Sequence, residues 1–209
     1  MGSLREVTLD EFLARLGSDA PAPGGGAVAA LAGAQAASLV AMVGRITMAR
    51  RPDAAVDLGP TVERAESLSR EMATLVDRDT EAFLEVMSAY RLPKDDAGRS
   101  GAIQAALRRA AEVPLETGRR SAEVMDLARM VAERGIPSAR TDAAVALLMA
   151  RAALEGAALN VLVNLAALKD RGFMGGTMRE VAELREKGRE TAAQLDAVFA
   201  GLVDKLPEV

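Results

Sequence analysis

With 209 residues the chain has room for one core, since a single core grows to about 250 residues before chains usually divide. Half of the residues are apolar but only 2% are aromatic, so the core must come from Ala, Leu, Val and Met, a composition suited to closely packed helices. The net charge of -4 offers no cationic footprint for nucleic acid, the lack of Cys excludes disulfides and thiolate chemistry, and the lack of His excludes a Ser-His-Asp arrangement and histidine metal ligation.

Thr8 and Glu11 form a capping-box pattern ahead of Phe12, Leu13 and Leu16, which predicts a short first helix ending near Gly17. The segment SDAPAPGGG is then a loop that delivers the chain into a long apolar helix from about Gly26 to Arg50. Its uncharged stretch Gly26 to Gly44 is long enough to cross a bilayer, but its Ala and Gly are poorly lipophilic, and the spacing Gly26, Ala30, Ala34, Ser38 predicts close helix packing instead. Pro52 and Gly59-Pro60 interrupt the pattern, and a third helix is expected from about Thr61 to Arg91, stopped by Leu92-Pro93. A fourth spans Gly98 to Arg134 with a kink or break expected at Pro114. Ser138 is the expected N-cap of a fifth helix reaching about Lys169, and a Gly-rich turn, RGFMGG, is expected before a charged closing helix.

No stretch alternates with the period of a half-buried strand. The expected fold is all-α: one domain over residues 1–209, a bundle of five to six mostly long helices. Helices this long and apolar need more partner surface than one chain gives, so the bundle should be dimer-forming. The opening MGSLREVTLDEF has no apolar signal core, and a cytoplasmic location is expected.

The PAPGGGAVAALAGA segment resembles the folate cyclodeaminase and cyclohydrolase family, whose members carry a Pro-x-Pro-Gly-Gly-Gly loop leading into a small-residue helix. The likeness continues in order through Arg45-Ile46-Thr47, DTEAFLEVMSAYRLPK, RSGAIQAALRRAAEVPLE with its Ala-x-x-x-Pro-Leu, and the long segment that starts at Thr141-Asp142 and carries Asn160-Val-x-x-Asn164. It covers about Thr8 to Asp170. Ile136 stands where the family often has Asn, and Thr141 where it often has Ser.

This resemblance implies an all-helical homodimer whose small-molecule partner and substrate is a tetrahydrofolate derivative, with no metal, no nucleic acid and no membrane. Either 5-formiminotetrahydrofolate cyclises with loss of ammonia, or 5,10-methenyltetrahydrofolate is opened by water to 10-formyltetrahydrofolate. A chain of this length has no room for a separate formiminotransferase domain, which leans toward the cyclohydrolase. Each reaction needs one group to move a proton on or off nitrogen and another to stabilise positive charge on the bridging carbon, and carboxylates suit both tasks. The alternative is a folate-binding or scaffold dimer that has lost its chemistry.

Asp142, matching the family's Asp, is the first expected catalytic carboxylate; a favourable charge in the first turn of a helix is the plain alternative. Asp79, with Phe83 one turn along to raise its pKa, is the second; a solvated charge in the run DRDTE is its alternative. Asn160 and Asn164 share one face of an apolar helix and need partners, either the pterin ring and a carboxylate or a helix seam. Asp142 and Asn160 lie 18 residues apart, about 27 Å along a straight helix, too far for one compact site within a chain. Gly24, Gly25 and Gly26 are expected either to hold the anionic glutamate tail of a folate at a helix start or to form a tight turn. Lys94, Arg45 and Arg51 are candidates for the same tail, and Thr47 either bonds substrate or satisfies its own helix.

Overall fold

The structure, a computed structural model, describes residues 2–193. The described residues form six helices and no strand: α1 (Leu9–Leu16), α2 (Gly25–Arg50), α3 (Ala55–Arg91), α4 (Arg99–Arg134), α5 (Arg140–Leu165) and α6 (Arg171–Ala192). The all-α bundle read from the sequence is therefore present, within the expected helix number.

α1 opens on the capping box foreseen at Thr8: its hydroxyl accepts from the Glu11 N–H, and the Glu11 carboxylate accepts from the Thr8 N–H. α2 then runs through the centre, packed against α3, α4 and α5. It has almost no amphipathic face because it is covered on most sides. Small residues let those neighbours approach: Gly33 seats the end of Met72, and Gly44 lies against Val62. On α5, Ala143, Ala146, Ala150, Ala153 and Ala157 recur every three or four residues and are fully buried. Both α2 and the segment Pro137–Leu165 are long and apolar enough to cross a membrane; much of each is buried within the bundle instead.

Polar ties fix how the outer helices dock. Arg64 of α3 grips Glu123 of α4 through two hydrogen bonds of 2.6 and 2.7 Å, and Glu71 is shared by Arg64 and Arg120. Arg119 and Lys187 join α4 to α6 through Glu180 and Asp126. Ahead of α1, Asp77 of α3 holds the N-terminal segment by accepting from the Ser3 hydroxyl, the Leu4 N–H and Arg5.

Five local expectations need correction. Pro60 does not delay α3 to Thr61: the helix begins at Ala55 and carries Pro60 within it, since Val56, the residue whose carbonyl loses its partner, faces water at 84% exposure. Pro114 does not divide α4, which continues through it. Ser138 does not cap α5; it sits in the 3-10 turn Pro137–Ala139, its hydroxyl takes a bond from Arg50, and α5 ends at Leu165 rather than near Lys169. The RGFMGG segment is not a turn but the first part of α6, because Asp170 caps it by accepting from the Phe173 N–H.

The contact of Gly44 with Val62 yields a test. A Cβ added at Gly44 would overlap Cγ2 of Val62, a side chain with little rotamer freedom. Gly44→Ala should therefore destabilise by about 1–3 kcal/mol despite alanine's better helix propensity. In urea titrations, Gly44→Ala combined with Val62→Ala should lose less than the sum of the two single losses, by about 1 kcal/mol; strict additivity would show that the contact is not limiting.

Candidate active site

The loop before α2, the C-terminal part of α3, the N-terminal part of α4 and the C-terminal half of α5 line a cavity of about 350 Å³. Pro21, Ala22, Gly24, Gly25, Gly26, Asp79, Phe83, Val86, Ala110, Asn160, Val163 and Asn164 line it. The loop enters with a cis Ala22–Pro23 peptide. Gly24 is the N-cap of α2 and offers no side-chain acceptor to the first N–H groups of that helix.

Asp79 projects from α3 onto this helix start. Its carboxylate lies directly over Gly26, where a Cβ would overlap it, so an acidic group from another helix stands at this helix start. Burial pushes its pKa from 3.8 up to about 6, and the neighbouring Ala27 N–H only partly opposes the rise. A carboxyl group with that value exchanges protons close to neutral pH, which is what a general acid or base requires.

Asn160 and Asn164 sit on the adjoining face of α5. Asn160 donates through Nδ2 to the Gly156 carbonyl at 2.8 Å; Asn164 donates through Nδ2 to Ala110 of α4 at 2.8 Å and to the Asn160 carbonyl at 2.9 Å. Phe83, Val86 and Val163 supply apolar walls. Among the described residues lining the cavity, the polar side chains are one carboxylate and two amides, and none is a cation.

The structure thus brings together Asp79, Gly24, Gly25, Gly26, Asn160 and Asn164. It leaves the other sequence candidates elsewhere. Asp142 is partly buried in the first turn of α5, outside the cavity lining and on the same helix as Asn160, as its 18-residue spacing requires. Thr47 is fully buried and occupied: it donates to the Val43 carbonyl and accepts from the Ile136 N–H. Ile136, in the family's Asn position, contributes that N–H and an apolar side chain to the core. Arg45 pairs with Glu66, Arg51 donates to the Arg134 carbonyl, and Lys94 is exposed in the turn after α3. Val86, Ala110 and Val163 were not singled out from the sequence; they are apolar positions on helical faces, with no chemical mark to set them apart from core.

A helical bundle with a partly buried carboxylate of raised pKa beside two amides has the makings of a small-molecule acid–base site. The chain matches the family model described as formiminotransferase-cyclodeaminase over residues 8–183. It is 42% identical over 197 residues to a methenyltetrahydrofolate cyclohydrolase of Methylorubrum extorquens, an alignment covering 88% of this chain and 95% of that protein. It is 32% identical to the formimidoyltransferase-cyclodeaminase of Rattus norvegicus over 91% of this chain, but spans only 36% of the rat protein. Its fold superposes on the crystal structure of formiminotetrahydrofolate cyclodeaminase from Thermotoga maritima with a TM-score of 0.87 at 28% identity, covering 95% of this chain and 98% of that one. The chain belongs to the formiminotransferase-cyclodeaminase family.

The raised pKa of Asp79 has a consequence for stability. The folded protein holds the proton more tightly than the unfolded chain, so the cost of ionised Asp79 is absent below about pH 4, grows between pH 4 and 6, and is complete above 6. At 1.36 kcal/mol per pKa unit that cost is on the order of 2–3 kcal/mol. Asp79→Asn, which keeps the shape and removes the charge, should be more stable than the parent by about 1–3 kcal/mol at pH 7.5, with the gain vanishing near pH 4. Denaturant titrations at both pH values check this; a gain independent of pH would mean that charge burial is not its source.

Proposed function

We propose that this chain is a folate one-carbon enzyme that opens 5,10-methenyltetrahydrofolate to 10-formyltetrahydrofolate, with Asp79 as its acid–base group. The observation that carries this reading is the Asp79 carboxyl, raised to about 6 and placed on the cavity wall facing two amides. In that reaction Asp79 takes a proton from the water whose oxygen attacks the bridging carbon. The adduct's C–O bond then becomes the formyl carbonyl as the C–N5 bond breaks with its electron pair going to N5; N5 takes the proton held by Asp79, and the hydroxyl proton is released to solvent as the net proton of the reaction. The carboxylate and the two amides supply oxygen acceptors near a carbon that begins the reaction with positive charge.

The substrate enters from the cyclohydrolase name of the 42% identical relative, which this chain matches along nearly its whole length. A second reading has its own support in the Thermotoga structure: closure of 5-formiminotetrahydrofolate with release of ammonia. There N10 attacks the protonated formimino (amidinium) carbon and loses its proton to the same carboxylate, which passes it to the formimino nitrogen; that C–N bond then breaks, ammonia leaves with the electron pair, and the methenyl cation remains. The cavity serves both because both pass through a tetrahedral carbon between two folate nitrogens.

We further propose that the chain acts as a homodimer in the cytoplasm. Val145, Leu148, Leu159, Leu162 and Val163 form an exposed apolar face on α5, at 40–68% exposure. A second copy fits it because one helix with a repeating apolar stripe is self-complementary about a two-fold axis. Val163 is also part of the cavity wall, so the same contact would shelter the site.

Two measurements test these readings. The methenyl chromophore should be lost faster with protein than without, and Asp79→Asn should lower kcat/KM by about 10²–10⁴-fold. In the parent, kcat/KM should rise with pH through about 6, as Asp79 becomes the base. Appearance of the chromophore from the formimino compound would instead establish the cyclodeaminase; silence on both would leave the folate-binding scaffold. A loss confined to Asp142→Asn would move the chemistry to the start of α5. For the dimer, Leu159→Glu with Leu162→Glu should yield a species of 21.8 kDa in sedimentation, half the parent's mass; an unchanged mass would remove α5 from the interface.

A further inference from the structure

Two prolines lie inside helices, and they differ in the fate of the carbonyl each one leaves without a partner. Proline has no N–H, so the residue four places earlier keeps a C=O that the helix cannot satisfy. For Pro60 that residue is Val56, which is open to water. For Pro114 it is Ala110, 6% exposed and part of the cavity wall.

Ala110 does not go unpaired. Asn164 of α5 donates Nδ2–H to its carbonyl at 2.8 Å, and its other amide N–H goes to the Asn160 carbonyl at 2.9 Å. The orientation of this amide follows from chemistry: both neighbours are carbonyl oxygens, and only the NH₂ end can face them. With both N–H groups committed, what Asn164 has left for the cavity is its Oδ1.

We propose that Pro114 is a positioning residue of the active site. By withholding the N–H that would otherwise claim the Ala110 carbonyl, it leaves an acceptor that locks the Asn164 amide and reserves its oxygen for substrate. The part played by that oxygen rests on the folate reading above: both substrates present an amidinium-type carbon between nitrogens, and an acceptor held in place beforehand stabilises such charge without reorganising. The Ala-x-x-x-Pro-Leu pattern of α4 then has a physical content. Its first and fifth residues are the orphaned carbonyl and the residue that orphans it.

Pro114→Ala tests this, because alanine returns an N–H four residues after Ala110 and competes with Asn164 for the carbonyl. The variant should melt at or above the parent's temperature, since α4 gains a bond and a better helix former. Yet kcat/KM on 5,10-methenyltetrahydrofolate should fall at least about tenfold, chiefly in kcat. Asn164→Ala should fall as far or further, and the double variant no further than Asn164→Ala, because both act through one amide. Pro60→Ala should leave activity unchanged.

In ¹⁵N-labelled protein the Asn164 side-chain amide should be protected from hydrogen exchange in the parent and less protected in Pro114→Ala. That readout needs no substrate, so it separates a failure of the positioning from a failure of the folate assignment. Equal protection in both proteins overturns the proposal, as does unchanged kcat/KM with altered protection. Multiplicative losses in the double variant overturn it too. So does a Pro114→Ala chain that fails to fold, since the proline would then serve the bundle itself.

Discussion

The arrangement turns on one contact: the Asp79 carboxylate of α3 seated on Gly26 at the start of α2. Several constraints converge there. The first N–H groups of a helix need acceptors, and Gly24 has no side chain to supply one. An anion is welcome at a helix N-terminus, yet enclosing it among Phe83, Val86 and Val163 removes the water that would otherwise solvate it. The second effect wins, because the pKa rises rather than falls. Only glycine at position 26 allows the carboxylate that close, so the glycine run and the acidic residue are halves of one device.

Much of the fold was legible because it rests on local rules. The Thr8–Glu11 capping box, the small-residue course of α2 and the stop at Leu92-Pro93 follow from propensity, capping and sterics within a few residues. The misreadings share a cause, which is tertiary context overriding a local signal. Pro60 read as a break and Pro114 as a kink or a break; neither breaks its helix, because the orphaned carbonyl finds water or an amide from another helix. RGFMGG read as a turn from its glycines, but Asp170 caps that segment as helix. Ser138 had the chemistry of a cap but stands in a turn whose hydroxyl meets Arg50.

The site was legible in its parts and not in its assembly. Gly24 to Gly26, Asp79, Asn160 and Asn164 were all named from the motifs that carry the family resemblance together with residue type and spacing, and they share one cavity. What the sequence could not rank was Asp79 against Asp142. The run DRDTE looks like one solvated patch, yet successive helical residues point about 100° apart. Asp77 therefore turns to the N-terminal segment, Arg78 to solvent and Asp79 to the cavity. Which of these directions meets a helix start depends on how α3 packs on α2, and no local pattern in α3 encodes that. Asp142 matched its pattern equally well but lies in the first turn of a helix whose later residues reach the cavity.

A cavity lined with polar groups inside an alanine-rich bundle is a conflict between stability and chemistry, and these helices resolve it in one direction. Buried polar atoms are costly unless bonded, so the cheapest solution would be to satisfy every one of them internally. Here the amide hydrogens of Asn164 are satisfied by backbone, one of those partners being a carbonyl that exists only because α4 carries a proline. The carboxylate of Asp79, by contrast, is partly buried against a helix start with a raised pKa. The donors are tied down and the acidic oxygens are kept expensive. That division leaves the cavity rigid where it must orient a substrate and unsatisfied where it must exchange a proton, which is the distribution that transition-state stabilisation by a preorganised site demands.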